Sequence, residues 1–190
     1  MKLLEDRINT EALVRSEDIL DVKSFLNESV DPQLMNELGK DFAKRFENYE
    51  FDAFVTVETS GIAPSVFAGF YANKPLIILK KEDNLKDAER FAQEEAFSFT
   101  KNKAYYLTVS KESITDGKFI LLDDFLARGS VVKNVRKLLE DNGSELVAVG
   151  ICISKNFQNG YKMLQEEGFD LYAQAQLAKL DPETKTVEFE

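Results

Sequence analysis

The chain has 190 residues, of which 44% are hydrophobic and 31% charged, a composition typical of a soluble globular domain that buries a core. It contains no histidine, which excludes Ser-His-Asp and Cys-His triads and makes a zinc site unexpected. The formal net charge of −10 argues against a general electrostatic role on DNA or RNA, because nucleic-acid-binding proteins normally carry a basic surface.

Three features of the sequence bear on the compartment. No apolar run approaches the roughly 20 residues that a membrane-spanning helix needs. The acidic N-terminus is interrupted by charges, unlike a signal peptide. The single cysteine, Cys152, lies in the apolar run "ELVAVGICIS" and is expected in the core without a disulfide. We therefore expect a soluble, reduced, cytoplasmic protein with no membrane or nucleic-acid partner.

Apolar periodicity predicts two helices near the N-terminus. Residues 2–14 place apolar side chains near one helical face. After the short alternating stretch "ILDVKSFLN", Asp31 and Pro32 form a typical helix start, with Asp as the cap and Pro in the first turn. This second helix is expected to run through "QLMNELGKDFAKRFENY", with apolar residues at every fourth position: Leu34, Leu38, Phe42 and Phe46.

The rest of the chain alternates between strand-like and helical segments. The segment 82–104 is dense in charge, contains no Gly or Pro, and carries aromatic residues at 91, 97 and 99. A turn is predicted at Asp181–Pro182. The alternation predicts one α/β domain over 1–190, with a mainly parallel sheet flanked by helices. Strands are predicted at 51–58, 74–81, 105–110, 118–123, 145–154 and 170–177, and helices at 65–73, 130–141 and 156–169.

Ligands of open parallel sheets bind beyond the carboxyl ends of the strands. Three segments lie at such ends, 57–62, 79–81 and 121–131, and the third has the clearest chemistry. Its residues "ARGSV" enter the N-terminus of a helix, where free N–H groups and the helix dipole suit a phosphate monoester. The preceding Asp123 and Asp124 must face something else, namely hydroxyls, a metal or a cation. Ribose 5-phosphate offers both groups, but the pair could equally cap a turn.

Five segments, in order along the chain, carry a resemblance to a known family. "FILLDDFLARGSV" resembles the phosphoribosyl-diphosphate-binding signature of the type I phosphoribosyltransferases. "DVKSFLN", "VETSGIAP", "FSFTK", "DDFLARG" and "SKNFQNG" resemble segments of the bacterial xanthine members of that family. The resemblance implies the type I phosphoribosyltransferase fold, with a flexible hood at about 82–115 that closes over the reacting centre. It also implies a homodimer. Mg²⁺ is expected on the diphosphate, because hard oxygen ligands suit this ion, and no dedicated protein site is predicted for it.

The resemblance assigns roles to individual residues at the sugar and phosphate groups. Asp123 and Asp124 would contact the ribose hydroxyls. Lys80 or Lys81 would neutralise the leaving diphosphate, although paired surface lysines are commonly only solvated. Two loops would supply donors: Thr59, Ser60 and Gly61 for the diphosphate, and Ala127, Arg128, Gly129, Ser130 and Val131 for the 5′-phosphate.

For the base, the resemblance points to xanthine and to Leu20, Asn27 and Lys155, with base-recognition parts in the N-terminal segment and in about 154–190. The Lys155 ammonium, at a strand end, suits a purine carbonyl oxygen. Phe157 is a candidate to stack on the base, but a core position is the commoner one for such a residue. The expected reaction transfers 5-phosphoribosyl from 5-phospho-α-D-ribose 1-diphosphate to xanthine, giving xanthosine 5′-phosphate and diphosphate in purine salvage.

Three positions of the phosphate loop bear on the assignment. Many family members carry Thr or Asn at Arg128 and a small residue or Thr at Val131, but main-chain N–H donors survive both changes. Ala127 has no carboxylate, unlike hypoxanthine- and guanine-type members, and no general base can be named. Two alternatives stay open: a purine-responsive transcription regulator with a non-catalytic phosphoribosyltransferase domain, and an enzyme for another purine.

Overall fold

The computed structural model describes residues 1–98 and 103–190. The helices are α1 (Lys2–Glu11), α2 (Pro32–Arg45), α3 (Ile62–Ala72), α4 (Ser130–Glu140) and α5 (Gly160–Glu166), with a π-helical turn at Lys23–Asn27 and 3₁₀ turns at Lys111–Ser113 and Asn156–Gln158. The strands are β1 (Leu13–Val14), β2 (Leu20–Asp21), β3 (Ala53–Val57), β4 (Leu76–Glu82), β5 (Phe91–Ser98), β6 (Lys103–Ser110), β7 (Lys118–Leu126), β8 (Glu145–Lys155), β9 (Leu171–Asp181) and β10 (Thr186–Phe189). None of the helices in these ranges is long and apolar enough to cross a membrane.

Eight strands form one sheet in the order β10-β9-β8-β7-β3-β4-β6-β5. The central five, from β9 to β4, are parallel, and β7 is the strand in the middle of them. The two edges are antiparallel, because β10 pairs with β9 and the β5–β6 hairpin extends from β4. The predicted mainly parallel α/β architecture is therefore confirmed, and the carboxyl ends of β3, β4, β7 and β8 meet at one edge.

Alternation along β7 divides the core between the two faces of the sheet. Ile120 and Leu122 belong to the cluster that packs against α1 and α2, whereas Leu121 belongs to the cluster beneath the hairpin and α4. Cys152 is fully buried in the first cluster, as the sequence predicts. Since β7 is covered on both faces, its carboxyl end is held rigidly where the acidic pair emerges.

Local chemistry explains where the helices begin and end. Asp31 caps α2 as predicted, because its carboxylate accepts the N–H groups of Gln33 and Leu34. The first helix ends at Glu11 rather than at residue 14, since Leu13 and Val14 instead pair with β2 in a two-stranded ribbon. Helix α3 starts three residues earlier than predicted, with Pro64 inside its first turn, where the missing N–H costs no hydrogen bond.

The charged segment and the C-terminal tail contain strands that the sequence did not indicate. Residues 91–98 form β5, which pairs along its whole length with β6. Strand β9 continues to Asp181, and the predicted turn there joins it to β10. Residues 156–169, predicted to be mostly helical, divide into a 3₁₀ turn and the short α5. Phe99, and with it the end of the "FSFTK" segment, lies outside the described residues.

Candidate active site

Strand β7 delivers the acidic pair and then turns directly into a helix. The strand continues through Asp123 and Asp124 to Leu126, past the predicted end, because Asp123 still pairs with Ile151 of β8. Residues 127–129 form the bend, and α4 begins at Ser130. Gly129 has φ +81°, a left-handed conformation that a side chain would strain. The loop 127–131, called the phosphate loop below, thus places the first N–H groups of α4 beside the acidic pair.

The phosphate loop rests on α5. A Cβ on Gly160, the first residue of α5, would overlap the carbonyl oxygen of Ala127 and lie 2.8 Å from the carbonyl carbon of Arg128. A Cβ on Gly129 would lie 2.9 Å from Cδ1 of Leu164, one turn further along α5. Gly160 therefore allows the helix to touch the backbone of the loop, and Gly129 leaves room for the Leu164 side chain. Sequence reasoning missed Gly160, and the one available signal was an Asn-Gly pair shortly after a strand.

The two aspartates occupy different environments. Asp123 is 9% exposed, and its Oδ1 accepts the N–H of Asp124 at 2.9 Å, whereas Asp124 is half-buried. Burial, and then the charge of Asp124, raise the pKa of Asp123 well above its ordinary value, while Lys81 opposes the rise. Asp124 is thus the more accessible carboxylate of the pair.

The loop after β3 lies against the acidic pair. It contains a cis peptide bond between Glu58 and Thr59, and α3 follows from Ile62. The Gly61 carbonyl accepts a hydrogen bond from Ser65 Oγ at 2.6 Å, and a Cβ on Gly61 would lie 3.2 Å from Asp123 Oδ1. The structure therefore brings Thr59, Ser60 and Gly61 beside the carboxyl end of β7, where the sequence places a diphosphate loop.

The next strand end separates the two lysines that the sequence left equivalent. Lys80 forms an ion pair with Glu58 at 3.3 Å on one face of β4. Lys81 lies on the other face, where its ammonium is 5.9 Å from the ring centre of Tyr105. Lys81 lines the same cavity as the phosphate loop, and Lys80 does not.

A cavity of about 960 Å³ lies against the phosphate loop, and the acidic pair and the loop at 59–61 are not among the residues that line it. Its walls come from the phosphate loop, the β5–β6 hairpin, the 155–158 segment and the loop before β2. Among the described residues, four basic side chains and the two acids Asp18 and Asp83 line the cavity, in a chain whose net charge is −10. Lys103 is paired with Asp83 at 2.9 Å. The cavity thus concentrates positive charge where an anionic ligand would need it; the basic residues are Lys81, Lys103, Arg128 and Lys155.

Lys155, at the end of β8, also lines the cavity. Its Nζ donates to the main-chain oxygen of Asp18 at 2.7 Å and lies 5.1 Å from the ring centre of Phe125. Burial lowers the pKa of Lys155, and the nearby carboxylates of Asp18 and Asp124 oppose that decrease. The ammonium is therefore partly desolvated and directed into the cavity.

Two other residues predicted to bind the base are not on the wall of this cavity. Leu20 is 6% exposed in the core, and Asn27 is exposed at the end of the π-helical turn; neither lines the cavity. Their neighbours Asp18 and Ile19 line it instead, because the loop before β2 turns toward Lys155. Phe157 packs against the core cluster, which agrees with the core alternative for that residue.

The described residues contain no group of three or more His, Cys, Asp or Glu side chains placed to hold a metal. This finding concerns only a metal site whose ligands all come from protein side chains. A metal ion that arrives with a diphosphate needs only one or two carboxylates from the protein.

Comparison with curated proteins identifies close relatives, although no family model matches the chain. The chain is 42% identical over 169 residues to a xanthine phosphoribosyltransferase of Clostridium novyi, covering 88% of this chain and 89% of the relative. It is 38% identical to one of Listeria innocua, covering 96% of both, and 38% identical to one of Bacillus cytotoxicus, covering 98% and 95%.

Solved structures agree with the fold. Adenine phosphoribosyltransferase from Trypanosoma brucei superposes with a TM-score of 0.73 at 16% identity, covering 92% of this chain and 78% of that one. The enzyme of the same name from Thermoanaerobacter pseudethanolicus gives a TM-score of 0.66 at 20% identity, covering 77% and 82%. At this level of identity the match concerns the fold alone, which is that of the type I phosphoribosyltransferases. With its full-length relatives, the chain belongs to the xanthine phosphoribosyltransferase family of that fold.

Proposed function

We propose that the protein transfers the 5-phosphoribosyl group of 5-phospho-α-D-ribose 1-diphosphate to xanthine, giving xanthosine 5′-phosphate and diphosphate for purine salvage in the cytoplasm. The observation that carries the proposal is the shared cavity. The phosphate loop, Lys81 and Lys155 all line it.

The phosphate and ribose fit the first part of this arrangement. The main-chain N–H groups of the phosphate loop would hold the 5′-phosphate at the positive end of α4. The half-buried Asp124, together with Asp123, would accept hydrogen bonds from the ribose hydroxyls. Arg128, on the cavity wall, would add a charged donor to the phosphate.

The leaving group fits the second part. The bond between ribose C1 and the diphosphate oxygen breaks, and diphosphate leaves with the electron pair. The loop at Thr59–Gly61 would hold the diphosphate, and the Lys81 ammonium would offset its charge. A purine nitrogen then bonds to C1, and the N–H proton of the base passes to an oxygen of the departing diphosphate. The hood, including the β5–β6 hairpin, would exclude water from the cationic ring carbon.

Mg²⁺ is proposed as the companion of the diphosphate. Diphosphate oxygens and one or two carboxylates are ligands that Mg²⁺ prefers, and the accessible Asp124 is the carboxylate best placed to contribute. When bound, the ion would neutralise charge on the leaving group. Asp123 is buried, so it is the less suited of the pair to coordinate an ion.

A homodimer is the proposed assembly, through the exposed face of α3. This helix is apolar along most of its length, yet Val66 and Phe70, one turn apart, are 52% and 78% exposed. An apolar ridge of this kind on an acidic, charge-rich protein is typical of a subunit interface.

A coupled assay of the purified protein with phosphoribosyl diphosphate, Mg²⁺ and each purine base tests the activity. Xanthine should be turned over in preference to adenine. Turnover of adenine but not xanthine would refute the substrate. Binding of phosphoribosyl diphosphate without turnover of any base would favour the regulator instead.

A further inference from the structure

The Asp18 carboxylate lies near Lys155, and neither the sequence motifs nor the proposed reaction gives it a role. Asp18 lines the cavity together with Lys155, Gln158 and Ala127. Its main-chain oxygen accepts the Lys155 ammonium at 2.7 Å, so the two residues lie side by side. Ala127, on the phosphate-loop side, contributes no acid.

The Asp18 carboxylate is oriented by a neutral partner. Gln158 Nε2 donates to Asp18 Oδ1 at 3.0 Å, and Gln158 belongs to the 3₁₀ turn directly after Lys155. Among the described residues Oδ2 has no hydrogen-bond partner. A carboxylate accepts several hydrogen bonds, and an ammonium has three N–H donors. The ammonium therefore retains donors for a ligand beyond its contact with the Asp18 main-chain oxygen, and the carboxylate retains acceptors beyond its contact with Gln158.

Side by side, an ammonium and a carboxylate present one donor and one acceptor. An oxopurine carries the complementary pair on one edge, a carbonyl oxygen next to a ring N–H. Adenine carries the reverse pair, an amino group next to an unprotonated ring nitrogen. An adenine bound at the same place would set its amino group against the ammonium and its ring nitrogen against the carboxylate, and each mismatch leaves polar groups unpaired.

We propose that Asp18 is a specificity-determining residue that accepts the ring N–H of an oxopurine while Lys155 donates to the adjacent carbonyl oxygen. Gln158 is a positioning residue that holds the carboxylate toward the cavity. The inference deepens the proposed function and rests on it, because it assumes that the base binds at the Lys155 end.

The test replaces Asp18 with Ala and measures kcat/KM for xanthine and adenine, and KM for phosphoribosyl diphosphate. Loss of a bidentate partner should lower kcat/KM for xanthine about 10- to 100-fold and reduce the preference over adenine. The KM for phosphoribosyl diphosphate should stay within about twofold, since the Asp18–Lys155 pair lies at the base end. Asp18→Asn retains an acceptor oxygen and should recover part of the loss.

Two further variants test whether the loss comes from a missing hydrogen bond to the base, from a displaced carboxylate or from the change in net charge. Glu17→Ala removes the same charge from the neighbouring exposed residue, which is not on the cavity wall, and should behave like the wild type. Gln158→Leu keeps the Asp18 carboxylate but removes the hydrogen bond that orients it. Its kcat/KM for xanthine should therefore fall less than that of Asp18→Ala.

Each contrary outcome has a definite meaning. An Asp18→Ala protein with unchanged xanthine kinetics overturns the inference, as does an equal loss of kcat/KM for xanthine in Glu17→Ala. A rise in KM for phosphoribosyl diphosphate in Asp18→Ala that is as large as its loss in kcat/KM for xanthine also overturns the inference. A wild-type protein that turns over no purine refutes the proposed function itself, a result distinct from all of these.

Discussion

Gly160 lies against the carbonyl group of Ala127 so closely that a Cβ at position 160 would overlap the Ala127 oxygen. The first residue of α5 thereby sets the position of the loop that is proposed to hold the 5′-phosphate. The contact also connects the two ends of the cavity, because Gly160 follows Lys155 by only five positions along the chain.

Gly160→Ala should weaken the use of phosphoribosyl diphosphate. The added methyl group must push the phosphate loop away from α5, and a displacement of about 1 Å near reacting groups can cost about 100-fold in rate. We expect at least about a tenfold rise in KM for phosphoribosyl diphosphate, measured by steady-state kinetics at saturating xanthine.

Gly168→Ala is the matched control. Gly168 lies two residues after the end of α5 and has φ +86°, and a Cβ there would meet no atom within 4 Å, so its substitution strains the backbone without touching the loop. Thermal unfolding should report a loss of stability there with unchanged KM. An unchanged KM in Gly160→Ala would show that the loop adapts to the methyl group.

Lys81 and Lys80 should differ in their effect on the leaving group. Lys81→Ala removes the ammonium on the cavity face and should lower kcat/KM for phosphoribosyl diphosphate about 10- to 100-fold, the range for a lost charged hydrogen bond. Lys80→Ala removes an ion pair with Glu58 on the opposite face and should change it by less than about threefold. Equal losses in the two variants would contradict the assignment.

Asp123→Asn should stabilise the free protein and impair it as an enzyme. The pKa of Asp123 is raised in the folded state, mainly by burial, so its contribution to stability is fully present below the unfolded pKa and is lost as pH rises through the folded value. Asn does not titrate, so the variant does not lose this stability as pH rises. The loss in the wild type is about 1.4 kcal/mol for each unit by which folding raises the pKa of Asp123. Its advantage in thermal unfolding temperature over the wild type should therefore grow from pH 4 toward pH 8. An advantage that shrinks over this range would contradict the burial argument.

Phe70→Glu should disrupt the proposed dimer. The charge falls on the most exposed residue of the apolar ridge of α3, and light scattering after gel filtration should report a monomer. Leu13→Glu, at a 51% exposed site on the separate β1–β2 ribbon, is the control and should leave the mass unchanged. A wild-type protein that is already a monomer would refute the assembly.

Much of the fold was predictable because its signals are local. The apolar strand that ends in Asp123 and Asp124, the Gly-containing bend and the amphipathic helix after it all follow from short-range preferences. The two-residue strands β1 and β2 were missed, because the apolar period of α1 continues through Leu13. Strand β5 was missed because its charged residues conceal the pairing with β6.

The site was less predictable, since its details depend on distant contacts. Lys80 and Lys81 could not be distinguished before the register of β4 fixed which one faces the cavity. Gly160 matters only because the chain returns to touch Ala127. Asp18 approaches Lys155 across 137 positions of sequence, a separation that no local pattern encodes.

The most direct test of the account is the separate measurement of both substrates in Lys155→Ala. If Lys155 donates a hydrogen bond to the base and the phosphate loop binds the sugar phosphate, kcat/KM of Lys155→Ala for xanthine should fall at least about tenfold. The Kd for phosphoribosyl diphosphate, measured by calorimetry, should then stay within about twofold of the wild type. Equal losses for the two substrates, or an undiminished use of xanthine, would contradict the account.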